Sequence, residues 1–499
     1  MKKTLENLVY YGMHHLGLDR YDAIYAKNHL YAMFDMIPEE GIECDKAYVE
    51  SLNVPDELLN VVYNYALETK MILSAEEDML TTKVMGYITP APSIVVNKAL
   101  SFEDGNEGLD YLYDLGIKSN YVKKSAIDKN IIWETKNFDP NLVVTINLSK
   151  PEKDNKEIAK LLANKEKPKY PKCMLCEENL GYLGRVDYPA RQTIRYMPVE
   201  LGGENWFLQF SPYAYYYKHC IAINREHKPM LIYGQTVVNI LDFVDKFDKY
   251  FIGSNAALPI VGGSILNHEH YQGGAYKLPM MYSKAERVYK HSLYPNVKVE
   301  ELNWYAKSVK LVSKDREQIE ALAKEIIAKW ETYNDHETGI YSHTDGVCHN
   351  TLSPIASKVD GEYQVYMIFR NNRTNEEHPD GIYHAHKEYH NIKKEGIGLI
   401  EAMGLFILPG RLLKETAIVE EYLTGAKVLP VASDSVEAKH SSMIEKLVNN
   451  FGNNNSSVRA KEIVTEEINN VCKNILGNIS VFKDSDSFAK FAEYLGLVL

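Results

Sequence analysis

Hydrophobic and polar positions change rhythm twice along this chain. Over the N-terminal part, apolar residues recur at three- and four-residue spacing, as in LDRYDAIYAKNHLYAMFDMI and PDELLNVVYNYALETKMI. That period lays one apolar stripe along a helix and predicts a mostly helical stretch from residue 1 to about 165. ITPAPS, from Ile88 to Ser93, punctuates it as a loop. The charged, proline-bearing LANKEKPKYPK reads as a linker ending near Lys172. Beyond it the rhythm shortens. NWFLQFSPYAYYYKHCIAINREHKP is aromatic and β-branched and predicts two strands about a Ser-Pro turn. VVNILDFVDKFDKYFIGSNAA returns to the helical period. Residues 300–410 repeat the mixture: a helix at KDREQIEALAKEIIAKWETYN, a strand at YQVYMIFRNN, then YHAHKEYH. SKAERVYKH reads as a short basic surface helix. From about 411 to 499 the chain is helical again, broken by the loop NNFGNNNSS.

These elements make an α+β protein, and 499 residues suit more than one domain. Four regions follow: 1–168, 169–300, 301–412 and 413–499. His-Glu-His at His268 to His270 and His-Ala-His at His384 to His386 each close a strand-rich block, which suggests a duplicated unit. Composition adds only bounds. At 45% hydrophobic and 25% charged the chain has the make-up of a soluble globular protein. A net charge of −12 argues against a nucleic-acid partner, which would want a basic face. The 36 tyrosines suggest polar-tipped aromatic surfaces around pockets or interfaces. The N-terminus has no apolar signal region, and no apolar run approaches the ~18 residues of a membrane span. Six cysteines are too sparse for a disulfide scaffold, which points to a reducing cytoplasm.

The chemistry concentrates in NHEHYQGG, Asn267 to Gly274. Strand side chains alternate, so His268, His270 and Gln272 share one face, while Glu269 and Tyr271 face away from it. Neutral histidine suits attack on phosphorus, because much of it is unprotonated at physiological pH. Glutamine offers an amide donor to a phosphoryl oxygen. The Gly262-Gly263-Ser264 backbone before it can present N–H groups to an anion. Nucleophile, donor and cradle are the parts needed for nucleotidyl transfer. A metal pair or a plain polar strand face would carry the same residues. KCMLCEENLG adds Cys173 and Cys176, a spacing shared by half-zinc sites, redox pairs and free structural thiols. Two further ligands for zinc are at hand in His227 and His268, and that choice would free His270 for chemistry. Arg191 and Arg195, in PARQTIR, form either a diphosphate clamp or a charged strand face. Arg370 and Arg373, in FRNNRTNEEHPDG, either reach a sugar phosphate or line a solvated loop.

CMLCEENLG, FSPYAYYYKHCIAINREHKP, GSNAALPIVGGSILNHEHYQGG, CHNTLSPIA and HAHKEYHNIKKEGIGLIEAMGLFILPGRL, in that order, resemble the longer bacterial branch of the galactose-1-phosphate uridylyltransferases, within the histidine-triad superfamily. The resemblance covers most of the chain. It implies a duplicated histidine-triad-like core of mixed or antiparallel sheet. The first half, with the nucleophile, spans 169–300 and the second 301–412, with helical regions at 1–168 and 413–499. It implies transfer of UMP from UDP-glucose to galactose 1-phosphate, releasing glucose 1-phosphate and giving UDP-galactose, by ping-pong catalysis through a uridylyl-histidine. His270 would be the nucleophile and Gln272 would steady the phosphoryl group. Cys173, Cys176, His227 and His268 would hold zinc. Asn255 would contact the nucleotide. Glu401 would bind the hexose from the partner subunit of a homodimer, and Lys393 or Lys394 a phosphate. With Gly263, Ser264 and Arg370, these make up the expected substrate contacts. His384 and His386, with His349, correspond to a second metal site; its glutamate ligand has no clear match, Glu286 being only near it. The shorter branch has Pro and Gly where Glu269 and Tyr271 stand. The rival readings are a dinucleoside polyphosphate phosphorylase or hydrolase of the same superfamily, and a non-catalytic zinc-stabilised binding protein.

Overall fold

A computed structural model describes residues 1–149 and 169–499. The expected linker as far as Pro168, and the region boundary placed there, lie outside the described residues. The chain divides into two compact units. The first comprises Met1–Lys129, Ser149–Lys228 and His268–Gly274; the second comprises Asn130–Leu148, Pro229–Asn267 and Ala275–Leu499.

The first unit opens with the expected helices, among them Lys2–Leu16, Arg20–Met33, Asp56–Glu68, Glu77–Ile88 and Gly105–Lys118. Their starts are chemically marked. Asp19 accepts from the backbone N–H groups of Tyr21 and Asp22 at 2.8 and 2.9 Å, and Asp104 accepts from that of Asn106 at 2.8 Å. The loop expected over Ile88 to Ser93 is shorter than its proline content suggests. Pro92 already opens the helix Pro92–Ala99, where its missing N–H costs nothing.

Four antiparallel strands follow, in the order Met197–Leu201, Glu204–Phe210, Cys220–Asn224, His270–Gly274. The first two form a two-residue hairpin. Gly202 and Gly203 both take positive φ, 59° and 78°, as the twist of such a turn requires. The two strands expected in NWFLQFSPYAYYYKHCIAINREHKP are the second and third of this sheet. The last strand begins only at His270. His268 lies in the bend leading into it, so the alternation read from the sequence extends one residue pair beyond the sheet.

The second unit carries a longer antiparallel sheet, ordered Leu497–Val498, Ala285–His291, Lys298–Leu302, Ser308–Ser313, Glu362–Asn371, Asn350–Val359, Phe251–Gly253. Helices Gly234–Lys246 and Arg316–Thr332 pack on it and on each other. Trp330, Phe369, Phe482 and Phe491 interlock with ring centroids 5.0–5.6 Å apart and tie the C-terminal helix Ser485–Leu495 to the sheet. A small second sheet joins Ile131–Glu134, Val143–Asn147 and Leu405–Pro409. Helical periodicity gave no sign of its first two strands. SKAERVYKH is not a helix: Ala285–His291 is a strand, with Tyr289 and His291 buried at alternate positions against Lys298–Leu302. Seven residues are too few for periodicity to separate the two. The α+β class is as the sequence implied. Among the described residues, no helix is long and apolar enough to cross a membrane.

Candidate active site and metal centre

In the first unit the Cys-x-x-Cys turn meets the end of the third strand and the bend before the fourth. Cys173 and Cys176 sulfurs lie 3.5 Å apart. His268 Nδ1 stands 3.2 Å from Cys173 Sγ and 3.7 Å from Cys176 Sγ, and His227 Nδ1 is 3.0 Å from Cys176 Sγ. All four donor atoms fall within 4.8 Å of one another. A small tetrahedral ion with metal–sulfur bonds of about 2.3 Å and metal–nitrogen bonds of about 2.0 Å needs ligand–ligand edges of roughly 3.3–3.8 Å. Four of the six edges, at 3.0–3.7 Å, lie near that frame, and all six are within 4.8 Å.

Its surroundings also fit a cation. His268 donates Nε2–H to the Asn224 carbonyl at 2.8 Å, which leaves the Nδ1 lone pair facing the sulfurs. The Leu175 N–H points at Cys173 Sγ across 3.4 Å. Burial, then the neighbouring Cys173, pushes the Cys176 thiol up to about 12, so the thiolate form needs a positive charge beside it. The turn itself is clamped by Asn179, which is fully buried. Its amide donates to the carbonyls of Cys173 and Cys176 at 2.9 and 2.8 Å and accepts from Tyr188 Oη at 2.8 Å. Asn179 escaped the sequence reading because its partners are backbone atoms. The four residues can hold a metal ion.

His270 is 5% exposed, at the start of the fourth strand. Its Nδ1–H donates to the backbone carbonyl of His268 at 2.8 Å. The single proton of the neutral ring is thereby fixed on Nδ1, and the lone pair is on Nε2. Burial pushes the ring down to about 4, partly offset by that hydrogen bond, so it is neutral at pH 7. Gln272, two residues on, is half-buried, and its Oε1 lies 3.3 Å from His219 Nε2. His219 is another residue the sequence reading passed over. The opposite side of the strand is not solvent. Glu269 is 2% exposed and accepts from Asn224 Nδ2 at 3.0 Å and Tyr271 Oη at 3.2 Å, with Lys228 Nζ at 3.3 Å. Tyr271 is fully buried and stacks on Trp206 with centroids 4.8 Å apart. Tyr271 therefore packs a second apolar layer, and Glu269 is held in a buried polar cluster beside it.

Arg195 is neither a clamp nor a surface charge. Burial lowers it to about 10, and its donors go to the carbonyls of Pro90, Gln192, Ile194 and Thr89 at 2.7–3.3 Å.

The remaining candidates lie in the second unit. Asn255 is buried, and its Oδ1 accepts from the Leu399 N–H at 2.8 Å. A Cβ at Gly263 would come 3.0 Å from Asn255 Nδ2, and one at Gly262 would come 2.4 Å from the Ala256 carbonyl oxygen. Gly262 has no room for a side chain against that backbone, and one at Gly263 would require Asn255 to shift. Ser264 and Lys394 are exposed. Glu401 is buried and ion-paired with Lys393 at 2.8 Å, and burial raises its carboxyl against that pull. Arg370 belongs to the expected strand and not to the polar loop after it: it sits on Glu362–Asn371 at 0% exposure. Its Nη1 donates to the Ile397 carbonyl at 2.9 Å, and burial lowers it to about 10. His349 Nδ1 meets Asn372 Oδ1 at 2.8 Å, and His386 Nε2 meets the Ile382 carbonyl at 3.1 Å while its ring stacks on His378. Burial, then Arg370, lowers His384 to about 4. Among the described residues, these three histidines do not converge as the Cys/His group does.

The sequence matches two family descriptions: galactose-1-phosphate uridyl transferase, N-terminal domain, over residues 44–229, and the corresponding C-terminal domain over residues 243–443. A galactose-1-phosphate uridylyltransferase of Clostridium acetobutylicum is 41% identical over 486 residues, covering 96% of each chain. Proteins of the same name from Caldanaerobacter subterraneus and Bacillus subtilis are each 39% identical, covering 99% of this chain and 97% of theirs. A solved structure of yeast Ap4A phosphorylase Apa2 aligns with 64% of this chain and 97% of its own at 10% identity and a TM-score of 0.30, too slight a likeness to carry an argument.

Proposed function

The chain belongs to the galactose-1-phosphate uridylyltransferase family, and we propose on that premise that His270 carries the uridylyl group through the reaction. The protein is a transferase of galactose metabolism. It moves UMP from UDP-glucose to galactose 1-phosphate by a ping-pong route through a uridylyl-histidine. The observation that supports His270 is its tautomer. With Nδ1–H held by the His268 carbonyl, only Nε2 can attack.

The steps balance without an added base. The Nε2 lone pair forms a bond to the α-phosphorus of UDP-glucose, and the bond from that phosphorus to the oxygen of glucose 1-phosphate breaks. The electron pair leaves with glucose 1-phosphate. The substituted ring is cationic, and its Nδ1–H stays on the carbonyl that held it before. A phosphate oxygen of galactose 1-phosphate then attacks the same phosphorus, the N–P bond breaks, and the neutral ring returns. No proton moves in either half. The demand on the protein is therefore positioning and stabilisation of charge on the non-bridging oxygens. In this reading Gln272 donates its amide N–H to one of those oxygens.

Zinc is the ion we assign to Cys173, Cys176, His227 and His268, since two thiolates and two imidazoles in tetrahedral reach suit it. Bound there, it would fix the turn, the third strand and the bend before His270 as one piece. The family resemblance further supports Asn255, Gly263, Ser264, Glu401, Lys394 and Arg370 as substrate contacts, a homodimer, and a cytoplasmic location. None of the six cysteines is in a disulfide, which agrees with a reducing compartment.

One experiment tests the central assignment. The protein is incubated with UDP-glucose labelled at the α-phosphate, without acceptor. An acid-labile, alkali-stable protein label is expected, transferable to galactose 1-phosphate and lost in His270→Asn. Label that persists in that variant removes His270 from the role.

A further inference from the structure

We infer that His219 is a positioning residue for the transfer: its Nε2–H holds the side-chain oxygen of Gln272 and so turns the amide NH₂ toward the phosphoryl group. The inference rests on the reading of Gln272 given above.

The geometry begins with the backbone. His219 immediately precedes the strand Cys220–Asn224, whose Cys220 and Ile221 stand opposite Gly273 and Gln272. Its carbonyl accepts from the Ser211 N–H at 2.8 Å and its own N–H donates to the Tyr216 carbonyl at 3.3 Å. The ring stacks on Tyr215 with centroids 5.4 Å apart and leans on Tyr216 at 4.7 Å. Only 3% of the residue is exposed, so the ring has one place to be.

The two ring nitrogens then differ. Nδ1 is buried with no hydrogen-bond partner among the described residues. Nε2 is 3.3 Å from Gln272 Oε1. A neutral imidazole has one proton to place. On Nδ1 it would be an enclosed donor with nothing to accept it; on Nε2 it meets an oxygen. Burial keeps the ring neutral, pushing it down to about 4.

The consequence falls on Gln272. The two ends of a glutamine amide have nearly the same shape, and the partner decides which end faces which way. Held by its oxygen, the amide presents both N–H donors on its other side. Released, it can turn over and set an oxygen lone pair against a phosphoryl oxygen. His219 thus selects between a helpful and a harmful orientation of the same side chain. It needs no contact with substrate to do so.

A double-mutant cycle reads this directly. His219→Phe keeps the ring and removes the donor. The measured quantities are the single-turnover rate of uridylylation by UDP-glucose, kcat and KM, with metal content and Tm as checks on the fold. Gln272→Ala is expected to slow transfer by about 10²–10³-fold, as loss of a transition-state donor does. His219→Phe is expected to slow it by on the order of tenfold with KM for UDP-glucose almost unchanged, the signature of a lost transition-state contact. In the double variant His219→Phe should add nothing to Gln272→Ala. His219→Gln, which restores an N–H donor, should recover most of the rate. Multiplicative slowing in the double variant, or His219→Gln no faster than His219→Phe, overturns the inference while leaving Gln272 in place. A wild-type rate in Gln272→Ala overturns the reading of Gln272 and this inference with it. If His219→Phe does not fold, the same cycle with His219→Asn decides, since that amide is too short to reach.

Discussion

Asn179 should control the metal centre without touching the metal. The informative change is Asn179→Leu, which keeps the branched shape and removes the side chain's three hydrogen bonds. Three groups lose a bond: the carbonyls of Cys173 and Cys176, at 2.9 and 2.8 Å, which keep the backbone N–H groups of Cys176 and Asn179 at 3.3 and 3.1 Å, and the hydroxyl of Tyr188, at 2.8 Å. Each lost bond is worth about 0.5–1.5 kcal/mol net. Cys173 is only half-buried, so water can repair part of its loss, and the hydroxyl can rotate. The sum is then roughly 2–4 kcal/mol of local stability. The turn that aligns two of four ligands loosens by the same change. Metal affinity should fall by about 10–100-fold, the usual effect of losing a supporting hydrogen bond behind a ligand. Tyr188→Phe removes one of the three bonds and leaves the carbonyl clamp, so it should cost about 1 kcal/mol and leave affinity near wild type. Competition with a chromophoric chelator measures the affinity, and thermal unfolding of the metal-loaded protein measures the stability. Wild-type affinity in Asn179→Leu, or equal penalties in the two variants, would refute the reasoning.

Three further outcomes follow from the same coordinates. Cys173→Ser should purify with little bound metal, and an unchanged metal content would remove it from the ligand set. At Gly274 a Cβ would come 2.5 Å from Tyr216 Cε2 and 3.0 Å from the Lys218 carbonyl oxygen; Gly274→Ala should therefore cost about 1–3 kcal/mol by overpacking and slow transfer by displacing Gln272's strand, whereas wild-type Tm and rate would show that Tyr216 yields freely. In the second unit, burial works to raise the Glu415 carboxyl, but Lys439, His440 and Arg411 together hold it below its ordinary 4.5, and burial holds His440 below its ordinary 6.5. Both groups bind protons more readily unfolded than folded, so their contribution is complete above pH 6.5 and drains as pH falls, through the histidine first and the carboxylate next. Tm should drop with acid less steeply in the paired variant Glu415→Gln/His440→Phe than in wild type; parallel curves would contradict the assignment.

What the sequence revealed depended on how local each signal was. His270 and Gln272 are two apart on one strand, so alternation alone placed them together. The Cys/His group was legible through chemistry, since two cysteines three apart need few partners and His227 and His268 were the histidines at hand. His219 and Asn179 were not legible. One acts through a side chain two strands of sequence away, the other through carbonyls, and neither interaction leaves a residue pattern. Arg370 was open to two readings, as the end of the strand YQVYMIFRNN or the start of the polar run after it, and the ladder with Thr351 decides for the buried strand. Glu269 and Tyr271 were legible only in direction. Alternation says only that Glu269 faces away from the catalytic side; that Asn224, at the end of another strand, and Lys228, just beyond it, meet it there is a non-local fact. The strands Ile131–Glu134 and Val143–Asn147 depend on pairing with Leu405–Pro409, far along the chain, and local periodicity could not report that.

The acceptor that fixes the His270 ring is a main-chain oxygen. Every amino acid at position 268 supplies it, so His268→Ala would strip the metal centre of a ligand yet leave the proton on Nδ1 of His270 where it was. Metal retention and nucleophile tautomer are thus genetically separable although they meet in one residue. A search by side-chain substitution would never find the tautomer's determinant, because no codon deletes a carbonyl. Redesign of this centre has its adjustable parts elsewhere, in the side chains that face the phosphoryl oxygens, and its nucleophile comes with the backbone.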